Sequence, residues 1–506
     1  MKKLFFLFWL FAAIALAAAD AAKPRLVLVI IIDQFRYDYL TRFRSDYKGA
    51  FDQMLTRGAV FSNAYYEHFP TVTAVGHSTV LTGALPSASG IIANDWYDRE
   101  AGRQVTSVGD PSVRLLGGMG EAGASPRQLA VSTVGDELKI ASSGKSKVIG
   151  ISLKDRAAIL PAGHSADAAY WFDGKSGHFV SSTYYFPDLP AWVQEFNRKT
   201  PASFKGAEWL GHKLPSDDRA YSLLAATPFS NHLIESFAER VVDEESLGRG
   251  PATDLLAVSF SGNDYVGHEY GPDSPEVRDV SIQTDLALAK LFRFIDAKVG
   301  MQNVLAVLTS DHGVAPMPEA NAARHMPGGR MPAGIIQESV QKALEQKYGP
   351  GKWILSPSEH SLYLNLPMIR ERNLSRAQVA QAAKDSVVAL PHVFRVYTYD
   401  QLETGSVLPD YISRRVLNGF NLRRGADVYT LLDPYWMFGK AGTTHGSAYN
   451  YDAHVPVIFM GPGIRAGLYH KTILVNDIAP TLATLLDVET PSGSSGRVLS
   501  EIFNDK

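Results

Sequence analysis

Five short runs of the chain are apolar at nearly every position. They are "RLVLVIII" ahead of Asp33, "KVIGISL" ahead of Lys154, "LLAVSF" ahead of Ser261, "VLAVLTS" ahead of Asp311, and "VPVIFMG" after His454. A strand with one wet face alternates apolar and polar residues, whereas a strand covered on both faces does not. The five runs therefore predict buried strands. Between them the apolar spacing changes to that of helices. "SPRQLAVSTVGDELKIAS" offers Ser125 as an N-cap and Pro126 as a first helical residue, "VRDVSIQTDLALAKLFRFIDAKV" has helical spacing, and "VNDIAPTLATLLDV" predicts a late helix started or interrupted at Pro480. Strands alternating with helices predict an α/β fold around a mostly parallel sheet.

Two stretches break this rhythm. Residues about 160–225 are rich in aromatics, Gly, Ser and Pro ("YWFDG", "STYYFPDLPAW") and predict an insertion that covers the site. Residues about 318–435 carry a Pro/Gly-rich loop and then a helix-strand-helix-strand succession, which predicts a small α+β subdomain. At 506 residues the chain exceeds one simple core, so a main domain over 23–506 with such insertions is expected.

The N-terminus follows different rules. Lys2 and Lys3 precede a chargeless apolar run from Leu4 to Ala19 and small-residue cleavage sites near Ala22. That pattern predicts a secretory signal over 1–22. The run is shorter than the ~20 residues a bilayer-spanning helix needs, so no stable membrane insertion is expected once it is removed. Export to the periplasm or the medium follows. The net charge of −3 gives no electrostatic footprint for nucleic acid as a specific partner. The chain has no cysteine. Any metal is then held by His, Asp, Glu or hydroxyl oxygen.

The residues that follow the predicted strands carry the chemistry. Asp33 ends the first. Asp264 and His268, four apart, follow the third. Asp311 and His312 follow the fourth, and His445 precedes the last. Ligands of an open parallel sheet collect outside the carboxyl ends of its strands. Asp264 and His268 share a cation if the backbone there makes a single helical turn or a tight loop. Adjacent Asp311 and His312 share one only if the strand has ended, and Gly313 favours a turn at that point. Three Asp and three His without sulfur suit zinc better than manganese or iron. Two such ions about 4 Å apart form a clamp for displacement at phosphorus. Taken singly, each group also reads as a turn residue or a surface histidine.

Taken in order, these segments resemble the alkaline phosphatase superfamily. The match is to PafA-type bacterial alkaline phosphatases, within the type I phosphodiesterase and nucleotide pyrophosphatase-like group. The resemblance rests on "IIDQFRYDYL", "FPTVTAVGHSTVLTG", "GIIANDWYD", "SLKDRAAILPAGH", "SFSGNDYVGHEYGP", "TSDHGV", "THGSAYNYDAHVPVIFMGPGI" and "DIAPTLATLL". It implies a two-zinc enzyme on an alkaline-phosphatase-like sheet, with Thr73 as nucleophile. Asp33, Asp311 and His312 would hold one zinc, which also contacts the Thr73 oxygen. Asp264, His268 and His445 would hold the other. Asn94, Lys154 and Arg156 would contact phosphoryl oxygens. Ala448 stands where the pattern leads one to expect proline.

Thr73 also has a case from its surroundings. "AVGHSTVL" predicts a helix ended by Gly83, with Thr73 at its N-terminus, where free N–H groups and the dipole favour a phosphate. The plain alternative is an N-cap. Thr71 is the second candidate nucleophile. Ser78, Thr79, Thr82 and His77 read as structural. The expected substrates are small phosphate monoesters, because Lys154, Arg156 and Asn94 suit the extra charged oxygen of a monoester. A phosphodiesterase or nucleotide pyrophosphatase on the same scaffold is the alternative. The C/S-x-P-x-R context of a sulfatase is absent. A binding protein with structural metal would leave Thr73 and "LKDR" without a role.

Overall fold

The computed structural model describes residues 23–504 apart from 357 and 359. The expected signal segment lies outside the described residues. The elements that position the site are β1 (Leu26–Ile32), α1 (Thr73–Thr82), β2 (Val148–Ser152), α2 (Asp155–Ala162), β3 (Asp254–Phe260), α3 (Gly262–Tyr270), β4 (Val304–Thr309) and β5 (His454–Met460). All five apolar runs are strands of one twelve-stranded sheet. β1 lies between β3 and β4 and is parallel to both, and β2 continues in parallel beyond β3. β5 is antiparallel to β4. Within each of the five strands nearly every side chain is buried, because apolar clusters cover both faces of the sheet. The continuous rather than alternating pattern has this cause.

Since β1, β2, β3 and β4 run the same way, their carboxyl ends share one edge. Each leads into a turn or helix that carries a candidate residue. The β1–β3 register runs from Leu26 opposite Asp254 to Ile32 opposite Phe260, and Asp33 N–H donates to the Phe260 carbonyl at 3.0 Å. β4 ends at Thr309, so Ser310 to Gly313 are free to turn. Gly313 N–H donates to the Asp452 carbonyl, and a Cβ at 313 would collide with the Tyr451 carbonyl.

Two expectations are corrected. Residues 160–225 are not an insertion separate from the core. Ala168–Asp173 pairs in parallel with β2, and His178–Ser182 follows antiparallel to it. The aromatics of this segment are core: Tyr170, Phe179, Trp192 and Phe196 all pack on Phe237. Aromatic density that suggested a loop-rich cover arises from a helix layered on the sheet. The single helix expected from Ser125 is also split. Ser125 caps only a short 3-10 turn at Pro126–Gln128, and the helix proper, Val134–Ala141, starts at a capping box made by Thr133 and Asp136. The Thr133–Asp136 pair satisfies two backbone donors reciprocally, a stronger start than Ser125 supplies.

The other two predicted helices are present, at Pro275–Lys298 and at Ile478–Leu486, with Pro480 tolerated in the first turn of the second. Between 335 and 432 a three-stranded antiparallel sheet (Ser361–Leu362, Val428–Leu432, Val393–Thr398) and helices Ile335–Tyr348 and Arg376–Val388 enclose their own apolar cluster around Trp353.

The helix α1 lies directly on the turn after β4. A Cβ at Gly76 would collide with the Asp311 backbone, so only glycine permits this approach. The prediction is that Gly76→Ala destabilises the protein by about 1–3 kcal/mol in urea denaturation, the usual range for overpacking, and lowers turnover because Thr73 and Asp311 are pushed apart.

Candidate active site

The site begins with the two residues of β1 and β4 that leave the sheet. Asp33 and Asp311 are fully buried, as is His312. Because β4 has ended, adjacent Asp311 and His312 do not point to opposite faces. His312 Nε2 lies 3.3 Å from Asp311 Oδ2 and 3.6 Å from Asp33 Oδ1. The His312 ring is held by Nδ1 donating to the Gly313 carbonyl at 2.9 Å, which leaves Nε2 as the outward-facing lone pair.

The second group stands on α3. Asp264 and His268 are one helical turn apart, and His268 Nε2 is 3.1 Å from Asp264 Oδ1. His445 comes from a loop, with Nε2 3.7 Å from the same oxygen. Both histidines are oriented from behind: His268 Nδ1 donates to the Thr443 carbonyl at 2.7 Å and His445 Nδ1 to the Thr71 carbonyl at 2.8 Å. Three imidazoles thus use Nδ1 on backbone oxygen and present Nε2 to the same place. The rings of His312 and His445 stack at 3.5 Å.

Lys154 bridges the two groups. Its Nζ is 2.5 Å from Asp33 Oδ2, 2.6 Å from Asp264 Oδ2 and 3.4 Å from Thr73 Oγ1. The charge balance is uneven. Burial pushes the Asp33 carboxyl well above its usual range, and the Asp264 and Asp311 charges add to this. Burial also raises Asp264, but Lys154 and His268 outweigh it and hold that carboxyl well below its usual range. Asp311 is likewise held low against burial, by His312 and His77. Burial, with His312 and His268 as neighbours, holds His445 well below the usual imidazole range. Burial lowers His312 too. Three buried carboxyl groups thus face one ammonium: Asp33 is pushed toward its neutral form, burial keeps His312 and His445 toward theirs, and only His268 is raised, the Asp264 charge outweighing its burial.

Asp33 Oδ1, Asp311 Oδ2 and His312 Nε2 are buried without a hydrogen-bond partner. Buried polar atoms are rarely left so, and convergent ones point to an ion. Two sets have ligand atoms within 4.8 Å of one another: Asp264, His268 and His445, and Asp33, Asp264 and His312. The donor set, carboxylate and imidazole with excess negative charge, fits divalent cations.

Thr73 is the first residue of α1, and Val72 rather than Thr73 is the N-cap, without a side-chain cap bond. Threonine here is therefore not spent on capping. The cap is supplied from outside: Asn94 Oδ1 accepts from Ala74 N–H at 2.8 Å. The Asn94 amide N–H2 is left to donate elsewhere. The other hydroxyls of the stretch are engaged. Thr71 donates to the Ser447 carbonyl, Ser78 and Thr79 to the Val75 carbonyl, and Thr82 to the Ser78 carbonyl. Thr73 Oγ1 alone faces the cluster. Arg156 lies in the first turn of α2, whose N-cap is Lys154, and its Nε is buried without a partner.

Two residues were missed as site components. Gln34 contacts both Asp264 and Asp311. His77, read as structural, touches the site: Nδ1 is 2.9 Å from the Thr73 carbonyl and 3.2 Å from Asp311 Oδ2, while Nε2 meets Ser259 Oγ at 2.8 Å. The glycine at 76, which seats α1 on Asp311, was the available signal for His77. Nothing in "DQF" marks Gln34.

With this geometry established, comparison with known proteins decides the family. The type I phosphodiesterase/nucleotide pyrophosphatase model matches residues 27–446. The chain belongs to that family. It is 36% identical to alkaline phosphatase PafA of Elizabethkingia meningoseptica, over 95% of both chains. It is also 36% identical to alkaline phosphatase PhoV of Synechococcus elongatus, over 95% of this chain and 93% of that one. The crystal structure of wild-type PafA superposes with a TM-score of 0.89 at 35% identity, covering 95% of this chain and 99% of that one. A PafA variant with the same score carries substitutions at a threonine, an asparagine, a lysine and an arginine two residues beyond the lysine.

The loop that carries His445 is pinned by Asp452, which accepts from Ser447 N–H at 2.8 Å and Ser447 Oγ–H at 2.6 Å. Burial raises the Asp452 carboxyl to about 7, with the Ser447 bonds opposing. The folded protein then holds a proton that the unfolded chain releases near pH 4. Stability from this group therefore falls as pH rises from about 4 to 7. The expected result is that Asp452→Asn gains thermal midpoint relative to wild type across that window, the gap being largest above pH 7. A gap independent of pH would contradict it.

Proposed function

We propose that this chain is a metal-dependent alkaline phosphatase that hydrolyses phosphate monoesters through a phosphothreonine at Thr73. The observation that carries the reading is that Thr73 Oγ1, the one hydroxyl of its stretch free of a backbone acceptor, faces Lys154 and the carboxylate–imidazole cluster at the N-terminus of α1. Its relatives named alkaline phosphatase, matched over nearly their full length, support the same activity.

In this reading Asp33, Asp311 and His312 would hold one zinc ion, and Asp264, His268 and His445 would hold a second. Two such ions would supply a lowered pKa for the threonine hydroxyl and positive charge at the reacting oxygens. The rest is done by the chain. The Thr73 hydroxyl gives its proton to solvent, its oxygen attacks phosphorus, the bond to the departing oxygen breaks, and the alcohol leaves after taking a proton from solvent. Water then loses a proton as it attacks phosphorus, the Thr73–phosphorus bond breaks, the threonine oxygen regains a proton, and inorganic phosphate leaves. The Ala74 N–H is taken by Asn94 and the Gly76 N–H by the Val72 carbonyl, so α1 contributes chiefly the positive end of its dipole toward the phosphoryl group. Lys154 is within reach of oxygens on a group attached at Thr73, and Arg156 and the Asn94 amide N–H2 provide further donors. Such fixed donors act mainly by electrostatic stabilisation. The PafA variant altered at the same four residue types, with the same lysine–arginine spacing, supports this set.

A monoester dianion carries one more charged oxygen than a diester, and Lys154 with Arg156 matches that oxygen. A phosphodiesterase would not need the pair. We further propose that residues 1–22 direct export to the periplasm or medium. Among the described residues, no helix is long and apolar enough to cross a membrane.

The test compares zinc-loaded protein on p-nitrophenyl phosphate and on its methyl diester. The monoester should be strongly preferred. Lys154→Ala should lower kcat/KM on the monoester by roughly 10²–10³, the cost of one lost transition-state donor, and change the diester far less. Thr73→Ala should abolish turnover. Equal or better turnover of the diester would overturn the monoesterase assignment.

A further inference from the structure

Gln34 has an unusual backbone for its residue type. Its φ is +60°, in the left-handed region. Glycine adopts that conformation freely, and a side chain with a Cβ does so at a cost. The backbone alone therefore asks for glycine at 34, and the chain carries glutamine. A strained residue beside a candidate ligand is a reason to look for what its side chain does.

The side chain is buried, and both ends of the residue are engaged. The backbone N–H donates to Asp311 Oδ1 at 3.0 Å, and Nε2 donates to Asp264 Oδ1 at 2.7 Å. The amide orientation is fixed by chemistry, since a carboxylate without a proton only accepts. The oxygen end, Oε1, then faces α3 at Gly267, where a Cβ would collide with it. So Gly267, one residue before His268, is the slot into which the Gln34 amide fits. Asp264 Oδ1 is the oxygen that His268 Nε2 and His445 Nε2 approach. Asp311 Oδ1 belongs to the other group. One residue thus touches a carboxylate of each.

We propose that Gln34 is a positioning residue that ties the two cation half-sites together, holding Asp311 by its backbone and Asp264 by its side chain. The inference rests on the two-cation reading above and names what fixes the spacing within it. Partners that orient metal-binding side chains typically change metal affinity by roughly 10–100-fold when removed. Asp264 without the amide donor is held by Lys154 at Oδ2, its Oδ1 is free to turn away from His268 and His445, and its half-site loosens. A residue serving only the fold would behave otherwise at this position. Gln34→Gly removes backbone strain, so a purely structural account predicts a stability change with unaltered zinc affinity.

The experiment uses full-length wild type and the variants Gln34→Gly, Gln34→Met, Gly267→Ala and the double variant Gln34→Gly/Gly267→Ala. Zinc affinity is read by competition with a chromophoric chelator, and the thermal midpoint is read on metal-free protein. The expected result is zinc affinity at one of two sites lowered roughly 10–100-fold in Gln34→Gly and Gln34→Met. The metal-free midpoint of Gln34→Gly should be equal to or above wild type. Gly267→Ala should weaken zinc with glutamine present and add nothing once Gln34 is glycine. Zinc affinity within threefold of wild type in both Gln34 variants overturns the proposal. So does a fall in affinity accompanied by an equal loss of metal-free stability in Gln34→Gly. If wild type takes up no zinc, the two-cation reading itself falls, and this inference with it.

Discussion

Three carboxylates are buried at one edge of a parallel sheet, and the structure around them is arranged to keep them there. Asp33, Asp264 and Asp311 repel one another across a few ångströms without water to screen them. Burying such a group costs far more than any single hydrogen bond returns. The fold tolerates it by placing Lys154 and the Gln34 backbone and amide as donors to the cluster, with the His268 and His77 rings close by. One ammonium is too little positive charge to keep all three charged, and the Asp33 carboxyl is the one pushed toward its neutral form by burial and by Asp264 and Asp311. The orphaned atoms Asp33 Oδ1, Asp311 Oδ2 and His312 Nε2 mark where more positive charge belongs.

Function grows from the same constraint. Parallel strands place their carboxyl ends together, so residues far apart in sequence meet without long loops. The helices that follow begin at the same edge. α1 and α2 bring Thr73 and Lys154 to within 3.4 Å, and the positive end of the α1 dipole suits an anion there. A site that concentrates cations is thereby set beside one that attracts phosphate. Glycines at 76, 267 and 313 are the contacts that allow this closeness, each where a Cβ would meet a neighbouring backbone or the Gln34 amide.

Much of this was legible in the sequence. Continuous apolar runs identified five strands, because a sheet covered on both faces leaves no polar alternation. The residues just after those runs, Asp33, Lys154, Asp264 and Asp311, reach one cluster as the strand-end rule requires. Thr73 was placed at a helix start, one position inside its cap. Other features depended on partners distant in the chain. Gln34 follows Asp33 with no pattern to announce its left-handed backbone or its reach to Asp264. His77 looked structural because its contacts with Asp311 and Ser259 arise only when α1 packs on the sheet. The aromatic stretch from 160 to 225 resembled a loop-rich cover, yet Tyr170 and Phe179 are core, since composition does not distinguish aromatics packed on a helix from aromatics lining a surface. Ser125 lost to Thr133 as a helix start because the Thr133–Asp136 pair closes a reciprocal cap.

On the two-cation proposal, the Lys154 ammonium between Asp33 and Asp264 stands where positive charge is wanted and gives up that place when the cations bind. Crystals of zinc-loaded protein, with diffraction recorded on both sides of the zinc absorption edge, test it most directly. The account predicts two anomalous peaks, one at Asp33, Asp311 and His312 and one at Asp264, His268 and His445, with the Lys154 ammonium moved off the two carboxylates toward Thr73. A single peak, or none, with Lys154 still paired to Asp33 and Asp264, would contradict it.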